Sequence, residues 1–132
     1  MPFTNAELTY LRSQRLGRLA TVDPAGAPQN SPVGFRLDPE AGTIEIGGYS
    51  LGTTRKFRNV EATGQVSLVV DDLASVNPWI VRGIEIRGSA EALRDQVPAS
   101  AHLSPEIIRI HPRRVISWGI PGAEPGMTAR DF

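Results

Sequence analysis

Apolar and polar positions along this chain repeat with two periods, and the shorter one dominates. In "TIEIGG" at 43–48, Ile44 and Ile46 fall on one side and Thr43 and Glu45 on the other, the two-residue repeat of a half-exposed strand. "RLGRLATV" and "QNSPVGFRLD" are aliphatic runs separated by "DPAGAP", and "DPEAG" follows the second, so they predict strand, tight turn, strand, tight turn. "QVSLVV" at 65–70 is almost continuously apolar and predicts a central strand, which Asp71 and Asp72 should break as a turn. "WIVRGIEIRGSAEAL" at 79–93 predicts one long strand, with Gly83 and Gly88 as bends or bulges. "RRVISWGI" at 113–120 predicts the last strand.

The helical period occurs twice. "TNAE" at 4–7 has the form of a capping box, and Leu8, Leu11 and Phe3 supply an apolar stripe, so an N-terminal helix of 4–14 lies within residues 1–15. "TTRKFRNVEAT" at 53–63 predicts a second helix that buries Phe57 and Val60 and ends on Gly64. "SPEIIRI" at 104–110 is short and reads as a helical turn, and 121–132 as an extended Gly/Pro-rich tail. About six strands joined by tight turns imply antiparallel pairing in one domain of residues 1–132. That strand count in a short chain favours a closed or partly closed barrel, which leaves few strand edges exposed. No G-x-G-x-x-G is present, and strands do not alternate with long helices, so a dinucleotide-binding α/β sheet is not expected.

Composition narrows the chemistry. Fourteen acidic residues balance fourteen basic ones, which disfavours nucleic acid and anionic membrane surfaces as partners. There is no cysteine, and His102 and His111 lack metal-ligand spacing, so neither disulfides nor a metal site is expected. Neither histidine has a visible Ser or Asp partner for a hydrolytic triad. "MPFTNAELTYLRSQ" lacks a signal-peptide core, and no stretch approaches the roughly 20 apolar residues of a membrane span; a cytoplasmic protein is the expectation.

The only lysine, Lys56, stands between Arg55 and Phe57, just after Gly52, Thr53 and Thr54 and just before Arg58 and Asn59. The first amides of a helix lack internal partners and carry partial positive charge, so hydroxyls and cations placed there build an anion pocket. Arg55 and Lys56 diverge by about 100° on a helix, whereas Arg55 and Arg58, or Lys56 and Asn59, share faces. The competing reading is a solvated charged helix face. The order strand, Gly turn, Thr-Thr-Arg-Lys, helix, strand favours the pocket.

"GRLATVDPAGAPQNSPVGFRLD" followed by "GYSLGTTRKFRNVEATGQVSLVV" resembles the flavin and deazaflavin oxidoreductases built on the pyridoxamine phosphate oxidase split barrel. The resemblance spans roughly residues 4–95, "RVISWGI" fits it, and it is strongest to the small branch that uses coenzyme F-420, an 8-hydroxy-5-deazaflavin with a phospholactyl-polyglutamate tail. It implies a mainly β fold, a six-stranded antiparallel split β-barrel of the FMN-binding type. It also implies a homodimer with cofactor sites at the interface. Thr54, Arg55 and Lys56 would hold the cofactor phosphate with Asn59 close by. Ser31, Pro32 and Val33 would lie along the ring edge, Tyr49 beside the ring, and Trp118 and Trp79 could wall the pocket from the other subunit. The implied activity is hydride transfer to an activated unsaturated small molecule, with coenzyme F-420 as cofactor and FMN as the alternative. A non-catalytic carrier or sensor on the same fold is the rival reading. No catalytic side chain is assigned. The C-terminus "GMTARDF" offers no alignable substrate-phosphate arginine, which argues against vitamin B6 oxidation.

Overall fold

The computed structural model describes residues 2–132. Its elements in chain order are α1 (Asn5–Ser13), β1 (Leu16–Val22), β2 (Pro28–Asp38), β3 (Thr43–Ile46), a 3₁₀ turn (Leu51–Thr53), α2 (Arg55–Thr63), β4 (Gln65–Ser75), β5 (Ile80–Leu93), β6 (Ile107–Trp118) and β7 (Met127–Asp131). All strand pairs are antiparallel. Six strands run in the order β3-β2-β1-β4-β5-β6, and a β3–β6 pairing closes them into a barrel, with β7 added on β6.

The two-residue period does its expected work inside. Leu19, Leu68, Ile86 and Val115 stand in register across β1, β4, β5 and β6, and all four are fully buried. Apolar burial of this kind, at about 25 cal/mol per Å², is the main term holding the barrel. The helices close its ends. Thr4 caps α1 in a full capping box with Glu7, and Leu8, Tyr10 and Leu11 turn inward. Phe57 and Val60 of α2 join the same core, and Gly64 ends that helix at φ 65, a left-handed angle.

Four expectations are corrected. Asp71 and Asp72 do not end β4, which continues to Ser75. Asp72 is held inside the strand by a bidentate ion pair with Arg82 and by the Tyr10 hydroxyl at 2.7 Å. Residues 107–110 are strand, because Ile108 and Ile110 alternate inward and pair with both β3 and β5. The tail is no loose extension: residues 127–131 form a seventh strand, and Arg130 reaches back to the buried Glu7. Thr43 is also buried, where alternation had placed it outward.

The barrel is split where β6 changes partners. Its start, Ile108–Ile110, pairs with β3, while Arg114–Trp118 pairs with β7. A matching gap opens at β2. Pro28–Gly34 pairs with β1 only, and Phe35–Asp38 with β3 only, so residues 28–34 have one edge without a strand neighbour. Pro28 and Pro32 fall in that stretch, as prolines do where a strand edge is open.

Candidate functional site

The open edge of β2 carries Ser31, Pro32 and Val33. Ser31 pairs with Leu19, so its side chain turns inward with the core row, and its Oγ is buried without a hydrogen-bond partner. A buried hydroxyl normally finds a partner. Its vacancy beside an edge with unpaired backbone groups fits a polar-edged ligand lying along 28–34.

Helix α2 is fastened next to this edge. Asn59 is buried and donates from Nδ2 to Thr21 Oγ1 at 3.1 Å, and Thr21 donates in turn to Gln29 Oε1 on β2 at 3.3 Å. Thr63 adds a bond to the Val22 carbonyl. Asn59 therefore positions the helix from within the fold, rather than standing at the exposed cation cluster. Arg55, four residues before it, is exposed, and Lys56, three before it, is half-buried.

The start of α2 is built as the spacing predicts, two residues later. The helix begins at Arg55, and residues 51–53 form the 3₁₀ turn. Thr54 is the N-cap: its hydroxyl accepts from the Phe57 amide at 3.3 Å and donates to the Leu51 carbonyl at 2.6 Å. Both capacities of that hydroxyl are used, so Thr54 shapes the site and leaves the amides of Arg55 and Lys56 for another acceptor. Among the described residues, Arg55, Lys56 and Arg58 take no part in the ion pairs that engage most of the other arginines. Three cations without carboxylate partners, at a helix start with its positive dipole end, suit an anionic group.

The turn leading into this cradle is tied to the segment before β6. Ser104 Oγ accepts from Leu51 N and donates to the Gly48 carbonyl, and Glu106 Oε1 accepts from Gly52 N. Arg94 lies 4.8 Å over the Phe57 ring and pairs with Glu61. Nothing in the sequence pattern marked Ser104, Glu106 or Arg94, because the groups they touch lie 33 to 56 residues away.

The same segment roofs a cleft of about 730 Å³ that begins at Gly34, where the open edge of β2 ends. Phe35, Ile46, Val97, Leu103 and Ile107 make apolar walls, and Tyr49, 79% exposed, stands at the mouth. Arg36 and Arg109 both bind Glu45 on the outer face of the barrel. The hydrogen bond from Arg36, helped by Arg109, holds the Glu45 carboxyl below its ordinary range against the opposing effect of burial.

Trp118 is elsewhere in this chain. It is the last residue of β6 and lies against Gly83, whereas Tyr49 follows Ile46, which pairs with Ile108 near the start of that strand. Trp79 sits 67% exposed at the tip between β4 and β5, with Val76, Ile80 and Val81 also exposed. His111 is bonded to Glu91 on the barrel exterior, and His102 is exposed in the segment before β6. Among the described residues no cluster of His, Cys, Asp or Glu could hold a metal, and no helix is long and apolar enough to cross a membrane.

Comparison with known proteins agrees with the fold. Residues 3–119 match the pyridoxamine 5'-phosphate oxidase family. A 5a,11a-dehydrotetracycline/5a,11a-dehydrooxytetracycline reductase of Streptomyces rimosus is 51% identical over 137 aligned positions, covering 100% of this chain and 94% of that protein. Among solved structures, a heme binding protein from Mycobacterium smegmatis superposes with TM-score 0.69 at 18% identity, over 99% of this chain and 59% of that longer one. An F420 reductase superposes with TM-score 0.59 at 24% identity, over 77% of this chain and 89% of that one. The structural likenesses establish the fold.

Proposed function

Because this chain belongs to the pyridoxamine 5'-phosphate oxidase family and is a reductase, we propose that it is a deazaflavin-dependent oxidoreductase, using coenzyme F-420, that reduces an unsaturated multi-ring substrate. The observation that carries this is the trio of unpaired cations on the capped start of α2, fastened beside the open edge of β2. FMN would seat on the same groups by the same argument. The surplus of cations favours the cofactor with the longer anionic tail, and the names of the dehydrotetracycline reductase and the F420 reductase point the same way.

When bound, the cofactor supplies the hydride that, with a proton from solvent, saturates a carbon–carbon bond conjugated to a carbonyl. The rest falls to the chain. Arg55 and Lys56 would hold the phosphate at the amides that Thr54 exposes, Ser31–Val33 would register the ring through backbone groups of the open β2 edge, and Tyr49 would close the mouth. Asn59 keeps the helix in place. No side chain is required to donate a proton.

Tyr49 and Trp118 lie near opposite ends of β6, so a site using both needs two copies of the chain. A homodimer with sites at the interface meets this, with Trp118 of the second copy as the wall.

The test is titration of the protein with coenzyme F-420 and with FMN, followed by absorbance and fluorescence, then reduced cofactor mixed with a panel of conjugated enones. Saturable binding of F-420 in preference to FMN, with substrate-dependent reoxidation, is the expected result. Tighter binding of FMN would transfer the proposal to that cofactor, and binding of neither would end it.

A further inference from the structure

The connection from β5 to β6, residues 94–106, contributes no residue to the buried core, yet its polar groups converge on the turn that leads into α2. Ser104 makes three bonds there. Its amide donates to the Gly48 carbonyl at 2.8 Å, and its hydroxyl donates to the same carbonyl at 3.0 Å and accepts from the Leu51 amide at 3.1 Å. Glu106 Oε1 accepts from the Gly52 amide at 3.0 Å. The fit is close: a Cβ at Gly52 would lie 2.9 Å from Glu106 Oε1 and 3.1 Å from Arg94 Nη1. Arg94 reaches on to α2, over the Phe57 ring at 4.8 Å and against Glu61 at 3.3 Å. Between these anchors the connection closes on itself, since the Gln96 amide donates to the Pro105 carbonyl at 2.8 Å.

Leu51 passes this grip to the helix start. Ser104 holds its amide, and its carbonyl accepts from both the amide and the hydroxyl of Thr54, at 3.0 and 2.6 Å. A shift of Leu51 therefore moves the N-cap, and with it the first-turn amides of Arg55 and Lys56, which have no helical partner. Glu106 adds charge to geometry. Gly52 stands three residues before Arg55, about 6 Å along a 3₁₀ turn. A carboxylate there repels an anion at the cradle while its hydrogen bond shapes the turn.

We infer, resting on the cofactor reading above, that Ser104 and Glu106 are positioning residues for the cofactor's anionic group: they fix the turn 48–52 from across the fold, and the Glu106 charge moderates the affinity that its hydrogen bond supports. Neither belongs to the cation cluster itself.

Four full-length proteins are titrated with coenzyme F-420 and with FMN by fluorescence: wild type, Ser104→Ala, Glu106→Gln and Glu106→Ala. Gln and Ala remove the same charge, but only Gln can still accept from the Gly52 amide, so their difference isolates the hydrogen bond. Glu106→Ala should bind the preferred cofactor at least about fivefold more weakly than Glu106→Gln, roughly 1 kcal/mol. Glu106→Gln should bind at least as tightly as the wild type. Ser104→Ala, with charge unchanged, should bind at least about fivefold more weakly than the wild type. Amide exchange on the free proteins adds a readout without cofactor: Leu51 should exchange faster in Ser104→Ala, and Gly52 in Glu106→Ala but not in Glu106→Gln. Equal affinities of Glu106→Gln and Glu106→Ala, or faster exchange in Ser104→Ala with unaltered affinity, would overturn the inference and leave the cofactor reading standing. Weaker binding by Glu106→Gln than by the wild type would overturn the part given to its charge. A wild type that binds neither cofactor would end the cofactor reading first, and the inference with it. If Ser104→Ala does not fold, the two Glu106 variants still decide.

Discussion

Gly88 faces a carbonyl: a Cβ built there would lie 2.1 Å from His111 O, at the point where the β5–β6 register shifts. Gly88→Ala must therefore push backbone apart, and we expect a loss of about 1–3 kcal/mol, the usual cost of overpacking, read as a lowered midpoint in thermal denaturation. An unchanged midpoint would mean the bulge absorbs a methyl group. The cation cluster makes a separate prediction at this scale. Lys56→Ala should weaken cofactor binding by about 1–3 kcal/mol, the size of a lost charged hydrogen bond, with the melting temperature of the free protein preserved. Thr54→Ala should differ by costing about 1 kcal/mol of stability as well, because its hydroxyl caps the helix. Calorimetric titration of both variants beside their melting curves separates anchoring from capping. The helix start at Thr54 was legible from the sequence, while its hydroxyl's use as the N-cap came from the structure. The role of Asn59 was not legible, since Thr21 lies 38 residues away and no local pattern announces the contact.

Elements explain the largest misreading. An Asp-Asp pair after an apolar run carries turn chemistry, yet β4 continues, because Arg82 on β5 and Tyr10 on α1 satisfy Asp72 there. The Arg82 bond foremost, against the next-largest effect, burial, and with the Tyr10 bond in support, brings Asp72 down from 3.8 to about 2. The sign follows. A carboxyl with a folded-state value below its unfolded one stabilises the fold above the unfolded value, and this stability is lost as pH falls through the folded one. Acidification from about pH 4 towards 2 should therefore lower the melting temperature of the wild type more steeply than that of Asp72→Asn, already the less stable at neutral pH. Parallel curves would show that Asp72 has no part in the acid transition. Glu7 is the same case with a different partner: burial would raise it, but Arg130 and the capping-box amide of Thr4 hold it below its ordinary value. Loss of β7 thus threatens α1 as well.

At the scale of the whole molecule, the proposed site draws on residues near opposite ends of β6, and so on two copies of the chain. The tip of the β4–β5 hairpin exposes Leu73, Val76, Trp79 and Ile80, and a second copy would cover such a patch. Light scattering should report a dimer. Mixing offers a stricter check. If Lys56 and Trp118 of one site come from different chains, refolding Lys56→Ala together with Trp118→Ala yields heterodimers holding an intact site, and cofactor binding lost in each variant alone returns. No recovery on mixing would place both residues in the same chain's site or remove Trp118 from it.

The sequence by itself determined the mainly β barrel, both helices with their caps, and the cation cluster at the start of α2. Each is written in neighbouring residues, where period, cap and turn chemistry act over a few positions. The tertiary structure alone decided which way Asp71 and Asp72 would go, that the C-terminal tail becomes a strand, that Asn59 faces inward, and that Arg36, Glu45 and Arg109 meet at the rim of a cleft. These depend on partners far apart in the chain. A buried polar group takes whichever partner the closed barrel brings within hydrogen-bond reach, and that closure is a property of all six strands together.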